Sequence, residues 1–222
     1  MHYRKRLIIY LERIYFLLKN AGWFSFIPVI GVNVIFPVFT YISYRNLGVC
    51  DEFYQNVSEI SQIFIPFLSI WWPILILKEF IDSYGKEIIC LGKKSKSSWI
   101  IMTMFFLYCC NVMVIFTLCY IFFSLPYIEL VKIILVSIFY MGSTVFLSKT
   151  TQNTSITILL LVVYTLSNFI FYKMEGIFPF YYTNVPTTIP MIHKNLLPLS
   201  LVGILEFVLG NCIRANIKSS NV

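Results

Sequence analysis

Six stretches of this chain run for roughly twenty residues with hardly a charge among them, and no other feature constrains its fold as tightly. A run of about 18 or more apolar residues is the signature of a helix that crosses a bilayer. Shorter amphipathic patterns, with period 2 or 3.6, mark elements that bury only one face. The composition agrees: 59% of the 222 residues are hydrophobic and 12% charged, against roughly 45–50% and 25% in soluble domains. So few charges cannot coat a water-soluble surface, and lipid is the expected medium for most side chains. The sequence therefore predicts an all-α integral membrane protein of six spans forming one domain over 1–222.

The spans are expected at about 23–44, 59–77, 99–123, 128–148, 155–172 and 197–213. Pro28, Pro37, Pro66 and Pro73 are candidate kinks in the first two, since a proline removes one backbone donor from the ladder. Ser124-Leu125-Pro126 reads as a tight turn between the third and fourth. Ahead of the first span, residues 3–19 set Leu7, Ile8, Leu11, Ile14, Tyr15 and Leu18 on one face, with Lys5, Glu12, Arg13 and Lys19 largely opposite. That pattern is too charged to span and predicts an amphipathic helix in the membrane interface. No cleavable signal peptide is expected here. Between the fifth and sixth spans, residues 173–196 hold Pro179, Pro186 and Pro190 and a Phe178/Phe180/Tyr181/Tyr182 cluster, and predict a broken, interfacial segment.

The net charge of +7 is distributed in a way that gives orientation. With the amino terminus in the cytoplasm, thirteen Lys and Arg residues fall on that side, in the 4–19, 78–96, 149 and 214–218 regions. Arg45, Lys173 and Lys194 fall on the other, and Lys132 lies inside the fourth span near its outer end. By the positive-inside rule both termini are expected in the cytoplasm and the protein in the cell membrane. The cations form no continuous basic face, which argues against nucleic acid as a partner. The six cysteines show no C-x-x-C spacing and read as packing residues. His2 and His193 both lie outside the spans, and neither Gly-x-Ser-x-Gly nor H-E-x-x-H occurs. Catalysis and metal binding are not expected of this chain.

The loop between the second and third spans carries the most information. From Lys78 to Leu91 it reads as a short amphipathic helix; a basic turn and serines able to cap the helix opening at Trp99 follow. Glu79, the Tyr84-Gly85 pair, Lys86, Glu87, the Ile88-Ile89 pair and the Leu91–Ser98 turn together resemble the segment after the second span in membrane subunits of type-two ABC exporters. That is the permease family of drug, polysaccharide and antimicrobial-peptide efflux systems. The chain departs from the family pattern at Lys86, where Thr or Ser is usual, and in lacking a proline in the turn. The resemblance extends more loosely over nearly the whole chain, from the interfacial helix to the broken segment before the sixth span.

What the resemblance implies is a coupling helix, with Glu79, Asp82, Tyr84, Gly85, Lys86 and Glu87 docking on an ABC ATPase subunit. Two such subunits, holding ATP and Mg, would work with two permease chains, identical or sister. Gly92-Lys93 is no phosphate loop: Glu87 stands where the leading Gly belongs, and Lys94 where Ser or Thr belongs. No cofactor is therefore expected on this chain itself. The implied function is export of an amphipathic substrate, such as an antimicrobial peptide, a drug or a lipid-like molecule, including self-immunity. Two other classes fit a basic six-span protein of this size: a substrate-capture subunit of a vitamin importer, and a membrane assembly factor without transport.

Inside the spans, Glu206 stands out because it falls near the middle of the sixth, where a charge costs roughly 2.5–3.5 kcal/mol. It is a candidate for contact with a cationic substrate or for a packing hydrogen bond. Asn33, Asn111 and Asn168 are candidates for hydrogen bonds between helices or to substrate. Glu129 and Lys132, three residues apart, read as a local interfacial pair.

Overall fold

A computed structural model of the protein describes residues 12, 15, 16, 19–81, 96–171, 181 and 187–213. Most of the 3–19 segment and Asp82, Tyr84, Gly85, Lys86 and Glu87 lie outside the described residues. Among those described, the chain is helical with turns and no strand. Five helices are long and apolar enough to cross a bilayer: Lys19–Leu47 (α1), Asp51–Ile81, Ser98–Phe123, Tyr127–Thr151 and Ile189–Cys212. Thr154–Ile170 is apolar but has 17 residues, about 25 Å at 1.5 Å per residue, short of the ~30 Å hydrocarbon core. The chain is built as a multi-pass membrane protein.

Backbone donors missing at prolines shape α1 and the helix after it. In α1 a π turn at Gly31–Ile35 precedes Pro37, and the Asn33 side-chain amide donates to the Val29 carbonyl at 2.7 Å. A single widened turn of this kind absorbs the misfit around a proline. The second helix divides into α2 (Asp51–Leu68) and α3 (Trp71–Ile81) at a turn over Ser69 and Ile70. At that turn Ser69 N–H bonds Pro66 O rather than the carbonyl one residue earlier. The freed Ile65 carbonyl accepts the Tyr108 hydroxyl at 2.5 Å, so a buried polar group finds its partner on another helix.

Two span boundaries differ from the sequence reading. The second helix begins at Asp51, not near residue 59, because Asp51 and Glu52 favour the positive end of a helix and Phe53 and Val57 are buried. The last helix begins at Ile189, not near 197: Pro190 sits in its first turn, where its missing donor costs nothing, and a π turn over Ile192–Leu196 precedes Pro198. Helical backbone therefore covers part of the stretch expected to be broken. The remaining helices are α4 (Lys96–Phe123), α5 (Tyr127–Thr151), α6 (Thr154–Ile170) and α7 (Ile189–Cys212). The turn expected at Ser124–Pro126 separates α4 from α5, with Ser124 at φ +55°. Asn153 caps α6 by accepting from Ser155 and Ile156 N–H at 2.9 and 3.1 Å.

α5 is the axis of the bundle, packed by α2, α3, α4, α6 and α7. Its tightest neighbour is α7, against which small residues bring backbone to backbone. A Cβ on Gly142 would stand 1.9 Å from Gly203 O, and one on Gly203 would stand 2.4 Å from Phe139 Cα. Helices in lipid gain little from burying apolar surface against each other, since the tails are equally apolar. Close packing at small residues supplies the attraction instead. Many large apolar side chains elsewhere, such as Phe106, Ile121, Leu159, Leu166, Leu205 and Leu209, are exposed, as lipid-facing residues should be.

Candidate functional site

Polar groups inside the bundle gather at three levels along α5. Nearest its start, Glu129 is 5% exposed and Lys132 is wholly buried. One Glu129 oxygen accepts from Ser58 Oγ at 3.0 Å and the other from Thr187 N–H at 2.8 Å, while Lys132 donates to the Gln62 side chain. The Glu129/Lys132 pair, expected at the interface, is thus buried inside the bundle instead. The two residues face α2 rather than headgroups, because Ser58 and Gln62, one turn apart on α2, offer each charge a partner. Buried charges persist only when so answered.

At the midpoint of α5, the Tyr140 hydroxyl lies 2.6 Å from Thr165 Oγ1 on α6 and 3.0 Å from the Tyr181 hydroxyl. Tyr181 is fully buried, and its N–H donates to Asn168 Oδ1 at 2.9 Å. Asn168 in turn donates to Tyr164 O in its own helix at 3.0 Å. Tyr140, Tyr164, Tyr181 and Phe139 form a continuous aromatic cluster around this network, with ring centroids 5.3–6.4 Å apart. Removing the shared hydroxyl leaves two buried groups short of a partner, at about 1–3 kcal/mol. Tyr140→Phe is therefore expected to lower the thermal midpoint of the detergent-solubilised protein, whereas Tyr127→Phe, whose exposed hydroxyl bonds only Thr117 at 3.0 Å, should leave it within error.

Glu206, on α7 and half-buried, accepts from Ser143 Oγ on α5. At the far end of the bundle, Asn211 Oδ1 accepts from Ser98 Oγ at 2.5 Å and from Lys149 Nζ at 2.7 Å, tying together the start of α4 and the ends of α5 and α7. Among the other sequence candidates, Asn33 is engaged within α1, Asn111 is half-buried on α4, and Glu79 is half-buried in the last turn of α3. These positions lie on α1, α4 and α3, whereas Glu206 is engaged at the contact of α7 with α5. The polar residues instead pin separate helix pairs.

Elsewhere a cleft of about 430 Å³ lies between α2 and α6, within the ~300–1,000 Å³ usual for ligand pockets. From α2 it takes Glu59, Ile63 and Phe67 among others, and from α6 Val162, Thr165, Leu166 and Phe169. Leu166 and Phe169 are each more than half exposed, so the cleft opens sideways, toward where lipid lies. The sequence reading passed over Glu59, taking it as the boundary of a span. It also passed over Gln62, Thr165, Tyr140 and Asn211. Glu59 and Gln62 carried a signal, as polar residues inside an otherwise apolar stretch. Thr165 and Tyr140 carried none, being ordinary in any membrane helix.

Among the described residues, no three His, Cys, Asp or Glu side chains are placed to hold a metal ion. Comparison of the chain with protein-family models, with curated proteins and with solved structures finds no match.

Proposed function

We propose that the chain is the permease half of an ATP-driven exporter that moves an amphipathic substrate, driven by separate ABC ATPase subunits. The reading rests on the 79–98 motif and its resemblance to type-two ABC permeases. The observation that carries it is mechanical. The segment between α3 and α4 leads into the start of α4, which is hydrogen-bonded into the bundle through Ser98, Asn211 and Lys149. A push on that segment would reach α4, and through Asn211 both α5 and α7. Coupling of this sort needs a rigid element that a partner can bias between two states. The sideways cleft between α2 and α6 supports a cargo taken from the membrane rather than from water.

Purification in mild detergent should bring an ATPase subunit down with the chain. In the assembled complex, Glu87→Arg or Gly85→Pro should abolish substrate-stimulated ATP hydrolysis while membrane insertion is retained. Unchanged stimulation in both variants would remove the docking role, and labelling of the 82–95 segment by an impermeant reagent added outside intact cells would remove the orientation it requires.

A further inference from the structure

The cleft between α2 and α6 has a chemistry of its own. Ser58 and Gln62 on α2 and Ser69 just past its end meet Glu129, Lys132 and Ser137 on α5 in ascending order, so these two helices run parallel. α6 follows α5 after a two-residue link and pairs Thr165 with Tyr140, so it runs the opposite way. Glu59 and Phe169 therefore lie toward one end of the cleft, Phe67 and Val162 toward the other. Eight residues separate Glu59 from Phe67, about 12 Å along the axis.

The polar groups in the lining are distributed unevenly. Thr165 lies deep, and its hydroxyl is committed to Tyr140 and to the Leu161 carbonyl at 2.7 Å. Glu59 is half-buried, and its recorded partner is the neutral Gln55 amide at 3.1 Å. Among the described residues, no Lys, Arg or His lines the cleft. Glu129, one layer inward, differs: its two oxygens accept from Ser58 and Thr187, and Lys132 is one turn away. The Glu59 carboxylate thus stands at the end of an apolar slot with no cation among the described lining residues to balance it. An ordinary acyl chain in the slot would leave that charge against hydrocarbon, whereas an ammonium or guanidinium on the occupant would neutralise it.

We infer that the slot between α2 and α6 binds a small cationic amphiphile, a tail of about 12 Å bearing one amine or guanidinium, with Glu59 selecting the charged head. The inference deepens the permease reading by naming the class of cargo, and rests on it only for the statement that the ligand is transported. Binding itself needs neither ATP nor a partner.

The test uses the full chain in nanodiscs of zwitterionic lipid and two photoreactive probes with the same dodecyl tail, one ending in a primary amine and one in a hydroxyl. The amine should bind saturably, about tenfold or more tighter than the alcohol, a ratio equivalent to 1.4 kcal/mol. Glu59→Gln should bring the amine to the level of the alcohol, and Glu59→Asp should keep part of the preference. Ile63→Trp, which fills the slot, should abolish saturable binding of both. Should that variant misfold, the crosslinked wild-type peptides decide the site, because adducts should fall on 51–68 and 154–170. Equal binding of the two probes, an amine preference that survives Glu59→Gln, adducts spread evenly over the helices, or crosslinks that place a second copy of the chain in the slot would each overturn the inference. None of these outcomes depends on whether an ATPase is found, so failure here and failure of the permease reading are distinguishable.

Discussion

Gly203→Val is expected to leave little folded protein, with loss of the monodisperse peak after detergent extraction and a loss of stability well above the 1–3 kcal/mol of ordinary overpacking. The new Cβ would fall 2.4 Å from Phe139 Cα and 2.9 Å from Ile138 O, and neither is a flexible side chain that can swing aside. Gly142 faces Gly203 from the other helix, where a Cβ would meet Gly203 O at 1.9 Å. α5 and α7 would have to separate by the width of a methyl group or more, carrying Ser143 away from Glu206. Gly203→Ala should act in the same direction and less severely. Gly48→Ala is the control: nothing lies within 4 Å of the site, so only the cost of its positive φ (+69°) remains. Comparable yields of Gly203→Val and wild type would mean that the two helices do not approach as closely as described.

Glu129→Ala is expected to cost about 3–5 kcal/mol, because it leaves Lys132 buried without its neighbouring negative charge and strips acceptors from Ser58 and Thr187. Replacing both members of the pair should cost less than replacing one. In Glu129→Gln with Lys132→Met, the amide oxygen can still accept, and no uncompensated charge remains. The comparison is a double-mutant cycle read by thermal unfolding in detergent. A double variant as damaged as Glu129→Ala would show that the two residues act independently and that the lysine finds its counter-charge elsewhere.

The fold was legible where its physics is local. Long apolar runs report the solvent directly, and the helices of α4, α5 and α6 start and stop within a few residues of where their polar flanks place them. It was less legible where prolines meet long helices. Pro190 reads as a breaker, yet a first-turn position accommodates it, and a π turn follows before Pro198. Asp51 and Glu52 read as loop, yet their charge suits a helix start.

Candidate sites depend on which helices become neighbours, and a single strand of text does not carry that information. Glu129 and Lys132 are three residues apart and look like a surface pair until Ser58 and Gln62, about seventy residues earlier, are brought against them. Glu59 looks like the polar edge of a span until α6 faces it across the cleft. Sequence alone determined that the chain is helical, built for lipid and asymmetric in its basic residues, because hydropathy, proline content and charge are properties of each segment by itself. Only the tertiary structure decided that α5 and α7 meet through glycines, that three polar layers pin the bundle, and that one carboxylate borders an apolar slot, because each arises from residues that come together only when the helices pack.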